Sequence, residues 1–186
     1  MSTPTTSAPS GTVPGTWIID PSHSEVGFTV RHLMTKVRGH FESFEGTITT
    51  GDEPALARAE ATIEMQSVGT RSQQRDAHLR SADFFDTENH PHMRFTATSF
   101  EGTTATGNLT IKGITREVVL SVDHLGRGGD PWGGTRIGFT ASGVISRKDF
   151  GIDFNIPLNG GGVVIGDRVT IEISIQAVLA EQGEQA

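Results

Sequence analysis

Seven histidines, His23, His32, His40, His78, His90, His92 and His124, are the side chains of this chain best suited to hold a metal or move a proton. Only His90 and His92 are close in sequence. Two residues apart on a strand, both rings can reach one ion, but the sequence points to no third ligand, and no metal site is assigned. His23 and His78 read as hydrogen-bonded histidines at the ends of elements. Nucleophilic catalysis has little to work with. The chain has no cysteine and no G-x-S-x-G elbow. Arg75-Asp76 and Arg147-Lys148-Asp149 read as solvated surface ion pairs. Asn159-Gly160-Gly161-Gly162 has the glycines of a phosphate loop without its lysine, and reads as a flexible connection. No cofactor is expected.

The elements that would carry these groups are strands. In Val169-T-I-E-I-S-I-Q-A-V-Leu179, the residues Val169, Ile171, Ile173, Ile175, Ala177 and Leu179 face one way, and the polar residues between them face the other. Similar alternation marks strands at about 17–20, 24–31, 38–50, 57–68, 92–101, 104–112, 115–124 and 134–146. Phe41 and Phe44 are out of phase, which predicts a bulge near Ser43. A sheet with one dry face and few helices must close on itself or pack as a sandwich. The rhythm breaks at 32–38, read as a short helical turn, and at 72–81, read as a helix capped by Ser72. Asp86 to Pro91 reads as an irregular connection.

Composition sets the class. The 186 residues make one ordinary domain, with 15 Lys+Arg against 22 Asp+Glu for a net charge of −7. This balance argues against coating nucleic-acid phosphates or an anionic membrane. Residues 1–15 read as a disordered polar leader, 16–180 as the folded domain and 181–186 as a frayed tail. The leader has neither the basic start nor the apolar stretch of a secretory signal, and no window could span a membrane, so a cytoplasmic location is expected.

Arg75-D-A-H-L-R-S-A-D-F-F-Asp86, followed by Met93-R-F-T-A-Thr98, closely resembles the central signature of the YceI-like family, bacterial lipocalin-like polyisoprenoid-binding proteins. Asp20-P-S-H-S-E-V-G-Phe28, Gly107-N-L-T-I-K-G-I-Thr115 and Gly138-F-T-A-S-G-V-I-S-R-K-D-F-G-Ile152 fall in the same order. The resemblance covers nearly everything from Trp17 to Leu179. It implies an all-β, extended antiparallel eight-stranded lipocalin-like barrel with one or two short helices near its mouth. It also implies a long apolar ligand inside, typically a polyisoprenoid quinone or isoprenyl lipid. Family members often carry a secretory signal, and the polar leader departs from that pattern.

The apolar strand phase places Phe28, Val30, Ile63, Met65, Phe95, Ile111, Phe139, Ile145 and Ile173 in the interior as ligand-binding residues. Phe84, Phe85, Phe150 and Phe154 fall in irregular segments, where they either plug the core beneath the loops or contact the ligand, some of them gating the tunnel. Arg75 and His78 share a helical face, and either tether a polar head at the mouth or anchor the helix to the barrel. Adjacent Arg75 and Asp76 are expected to find separate partners. The expected function is non-catalytic binding, carriage or sequestration of the amphiphile. Two alternatives stand beside it: an enzyme using His78, Asp76 or Asp149, and an interaction module whose barrel is packed shut. A homodimer is left open.

Overall fold

The computed structural model describes residues 13–53 and 57–180. The described strands are β1 (Gly15–Ile19), β2 (Glu25–His32), β3 (Thr35–Phe41), β4 (Phe44–Thr50), β5 (Arg58–Glu64), β6 (Val68–Gly69), β7 (His92–Glu101), β8 (Thr104–Ile111), β9 (Ile114–Gly129), β10 (Thr135–Ser146) and β11 (Ile165–Leu179), with one helix, α1 (Gln73–Arg80). All pairings are antiparallel. The order β1-β4-β5-β7-β8-β9-β10-β11 closes through β1–β11 into an eight-stranded barrel. β2 and β3 extend two of its staves. β2 pairs with the first part of β11 and β1 with its last residues, while β3 and β4 pair with β2 and β1 respectively.

The two long staves bend at identifiable residues. Between β1 and β2, Asp20 caps the short 3₁₀ turn Pro21–His23 by accepting from the Ser22 backbone N–H at 3.0 Å. It also takes a 2.7 Å ion pair from Arg136, whose Nε reaches Asp130 at 3.0 Å. Arg136 thus fastens the bend to the β9–β10 turn. Between β3 and β4 the chain changes partners at Glu42-Ser43, where the sequence predicts a bulge, and both Phe41 and Phe44 end up buried.

Three readings of local structure are corrected. Residues 32–38 form a hairpin, not a helical turn: Leu33 takes a left-handed backbone (φ 54°), and its N–H donates to Val164 O at 2.8 Å. Pairing along β2–β3 overrides the helical preference of Leu-Met-Thr-Lys. The strand expected over 57–68 ends at Glu64. Met65–Ser67 is a 3₁₀ turn anchored by the Met65 N–H to Pro91 O bond at 2.9 Å. The third correction concerns Arg147, which is not a surface ion pair; its setting is described below. Gly15 pairs with Thr50 in β1, and residues 1–12 of the expected leader and the whole expected tail lie outside the described residues.

The inward phase of the strands meets in three apolar clusters. One lies at the α1 end around Phe41, Met65, Phe84 and Phe150, and one at the opposite end around the fully buried Trp17. A smaller one, Ala105, Leu120 and Ala141, sits on the wall between them. Because these clusters concentrate at the ends and on one wall, the middle of the barrel is left open.

Candidate functional site

That opening is a cavity of about 910 Å³ running from α1 to the β7–β8 turn. Period-two alternation builds its wall. The register sets Phe139 opposite Ile175 and Ala141 opposite Ile173 on β10–β11, and Val30 opposite Val169 and Phe28 opposite Ile171 on β2–β11, and every one of these side chains lines the cavity. Thr29 takes the other face and donates to Glu172 at 3.3 Å on the outside of the barrel. Among the residues read from the sequence, Phe28, Val30, Ile63, Phe84, Phe85, Phe95, Ile111, Phe139, Ile145, Phe150, Ile173, Arg75 and His78 line the cavity. Met65 and Phe154 do not. Met65 leaves the strand phase where β5 ends and packs into the core. Phe154 stacks behind the end wall against His78 and Phe84.

Polar residues line both ends of the cavity: Thr47, Thr50, Glu101, Thr103 and Thr104 toward the β7–β8 turn, and Thr70, Arg75, His78 and Arg147 at the α1 end. Ser72 caps the helix, its Oγ accepting from the Arg75 N–H at 3.3 Å. Arg75 and Asp76 do not find separate partners: both converge on Thr70. Arg75 donates from Nε to Thr70 Oγ1 and from Nη2 to Thr70 O, each at 2.7 Å, while Asp76 accepts from the Thr70 N–H at 2.8 Å and from its hydroxyl. Thr70 is only 3% exposed, so this knot is shielded from water and fixes the start of α1. His78, on the next turn, pairs through Nε2 with Asp83 at 2.8 Å and meets the edges of Phe84 and Phe154.

Arg147 is the residue that sequence reasoning most misjudged. It is 5% exposed, lines the cavity, and donates to the carbonyls of Gly166, Ile152 and Phe154 at 2.9 Å each. Burial lowers its pKa, opposed by the negative charges of Asp167 and Asp153. Neither Arg147 nor Arg75 has a carboxylate ion-pair partner among the described residues. Two guanidiniums held by neutral oxygens thus stand at this end of the chamber, with the carboxylates of Asp76, Asp83, Asp153 and Asp167 close by.

A second polar group went unnoticed. His124 lines the cavity, and its Nε2 is buried without a hydrogen-bond partner among the described residues. Val118, Leu120, Val122 and His124 alternate along β9, so a polar residue on the inward phase was the available signal. The other candidates lie outside the cavity: Asp76 is tied to Thr70, Asp149 is exposed, and His92 pairs with Glu64 at 2.9 Å on the outer surface.

Comparison with known proteins agrees with this architecture. The chain is 41% identical over 138 residues to a UPF0312 protein of Photorhabdus laumondii, covering 71% of this chain and 72% of the relative. It is 30% identical to the crystal structure of the Campylobacter jejuni YCEI protein, with a TM-score of 0.68, covering 87% of this chain and 96% of that one. The fold is shared, at 16% identity and a TM-score of 0.65, with a polyisoprenoid binding domain from Saccharophagus degradans, covering 90% of this chain and all of that one. The profile of the YceI-like domain matches residues 17–177, and with the closed barrel and its ordered motifs, the chain belongs to the YceI-like family.

Proposed function

We propose that the protein is a non-catalytic carrier or sequestering protein for a long apolar amphiphile, a polyisoprenoid quinone or an isoprenyl lipid, held inside the barrel. The observation that carries this reading is the cavity of about 910 Å³ walled by Phe28, Phe95, Phe139, Ile145, Ile171 and Ile173, with Arg75, His78 and Arg147 at its α1 end. That volume is at the upper end of the range for small-molecule sites. Each methylene moved from water into such a chamber contributes roughly 0.8 kcal/mol, and ordering the flexible chain offsets part of it. Selectivity along the tail is therefore low. The donors at the α1 end set the preference for a head: Arg75, Arg147 and His78 suit an oxygen-rich acceptor such as a quinone carbonyl or a phosphate. A protein of the same fold is named for polyisoprenoid binding, which supports the same ligand class. Among the described residues no helix is long and apolar enough to cross a membrane. The reading places the carrier in the cytoplasm, which cell fractionation checks.

A series of isoprenols of increasing length, competed against an environment-sensitive apolar dye, tests the proposal. Affinity should rise with each added unit until the cavity is filled and then level off. Failure of every isoprenol to displace the dye would remove the isoprenoid from the proposal.

A further inference from the structure

The chain is acidic overall, yet two segments that meet at one end of the barrel, 26–41 and 154–166, contain no Asp or Glu at all. The first is nearly all of the β2–β3 hairpin; the second leads into β11. They are joined by the bond from the Leu33 N–H to Val164 O and by the pairing of His32 with Ile165. Between Ile156 and Val164 the chain makes its own small hairpin. Pro157 bridges Val163, the Leu158 N–H donates to Gly162 O, and Gly160, Gly161 and Gly162 all take positive φ, which only glycine adopts freely. These two tips expose an apolar surface: Met34 at 99%, with Leu33, Ile156, Leu158 and Val163 beside it.

Arginine and lysine surround that surface. Arg31, Lys36, Arg38 and Arg168 are exposed, and none has an ion-pair partner among the described residues. Arg31 and Lys36 stand directly opposite each other on β2 and β3, an arrangement of like charges that costs stability in an isolated sheet. Arg31 also donates to Leu33 O at 2.9 Å, which holds its charge at the hairpin tip. Exposed apolar side chains ringed by unpaired cations match an anionic bilayer, where the tip enters the acyl boundary and the cations meet phosphates. The same ring of positive charge opposes the face-to-face pairing of two copies.

We infer that the Leu33–Met34 tip and the Ile156–Val163 hairpin form a docking surface for the face of an anionic phospholipid bilayer. The site lies over His32, Val30, Val37 and Ile165, which line the cavity. Docking thus sets one wall of the chamber against the membrane. The inference stands on the surface alone, whatever the cavity holds.

The test is flotation of the full chain with extruded vesicles of phosphatidylcholine alone or with phosphatidylglycerol added. The bound fraction should rise with phosphatidylglycerol and fall with salt. Met34→Asp should lower the partition coefficient by about tenfold and Lys36→Gln by about fivefold, on the scale of one interfacial charge. Both variants should unfold at or above the temperature of the unaltered protein, Lys36→Gln gaining from the relieved repulsion with Arg31, and should keep its dye uptake by the cavity, which separates loss of docking from loss of the ligand site. Equal flotation on neutral and anionic vesicles, or flotation unchanged by both substitutions, would overturn the inference. So would sedimentation showing a dimer that Met34→Asp dissociates without any vesicle binding, which would assign the surface to a second copy of the chain.

Discussion

Arg147 donates from Nε to the carbonyl oxygen of Gly166 at 2.9 Å, tying the turn after β10 to the beginning of β11 across a separation of 19 residues. The same guanidinium closes the irregular stretch between them through Ile152 and Phe154. A buried cation serves here as a hub for backbone oxygens that would otherwise face an apolar interior. Arg147→Met should therefore destabilise the protein by about 2–4 kcal/mol in urea unfolding, because three carbonyls lose their donor. Arg147→Lys should recover little, since one ammonium cannot reproduce the planar fork.

His78→Phe keeps a ring against Phe84 and Phe154 but removes the nitrogen. It should weaken quinone or isoprenyl phosphate binding by about fivefold to tenfold, the scale of one hydrogen bond, with little effect on a headless hydrocarbon of the same length. Titration of both ligand types into both proteins checks this. Equal weakening of the two would move His78 from head recognition to packing.

Phe150 is 1% exposed and lies in the α1-end core while also touching the cavity. Its burial favours the plug over the gate, the two roles its irregular segment leaves open. Phe150→Ala should cost about 3–5 kcal/mol by denaturant unfolding, as for other large core truncations. Ligand release should then accelerate only in proportion to unfolding.

The carboxyl of Asp20 is held well below the usual range, first by its bonds from Ser22 and next by Arg136. Asp130 is lowered chiefly by the Gly134 N–H and Asp167 chiefly by the Ser146 hydroxyl. Each is depressed on folding, so its contribution is complete above the unfolded-state value of about 4 and is lost as pH falls below it. Thermal stability should be flat with respect to these groups from neutrality to about pH 4 and should decline below that. Arg136→Met should make the decline shallower, as followed by circular dichroism.

What could be read in the sequence was whatever obeys a short period. The alternation of β11 placed Ile171, Ile173 and Ile175 on the inner face, and the same rule assigned Phe28, Phe95 and Phe139. Ser72 was legible as a cap because its side chain acts within one turn. Long-range polar partners were not legible. Nothing local says that Arg147 is buried, since its acceptors are backbone carbonyls brought in by tertiary folding. Met65 was misplaced because Glu-Met-Gln continues the alternation of β5, while the bond to Pro91 O turns the chain away. The basic hairpin was hidden by averaging, since a net charge of −7 says nothing of where the cations lie.

Native mass spectrometry of freshly purified protein, with organic extraction of whatever it carries, tests the central claim most directly. The account predicts one isoprenoid-like amphiphile per chain, chemically unchanged with time, and absent from an Ala141→Trp variant whose indole occupies the chamber while the barrel stays folded. A chain that carries nothing and takes up no supplied isoprenoid, or one that converts a bound isoprenoid over time, would contradict it.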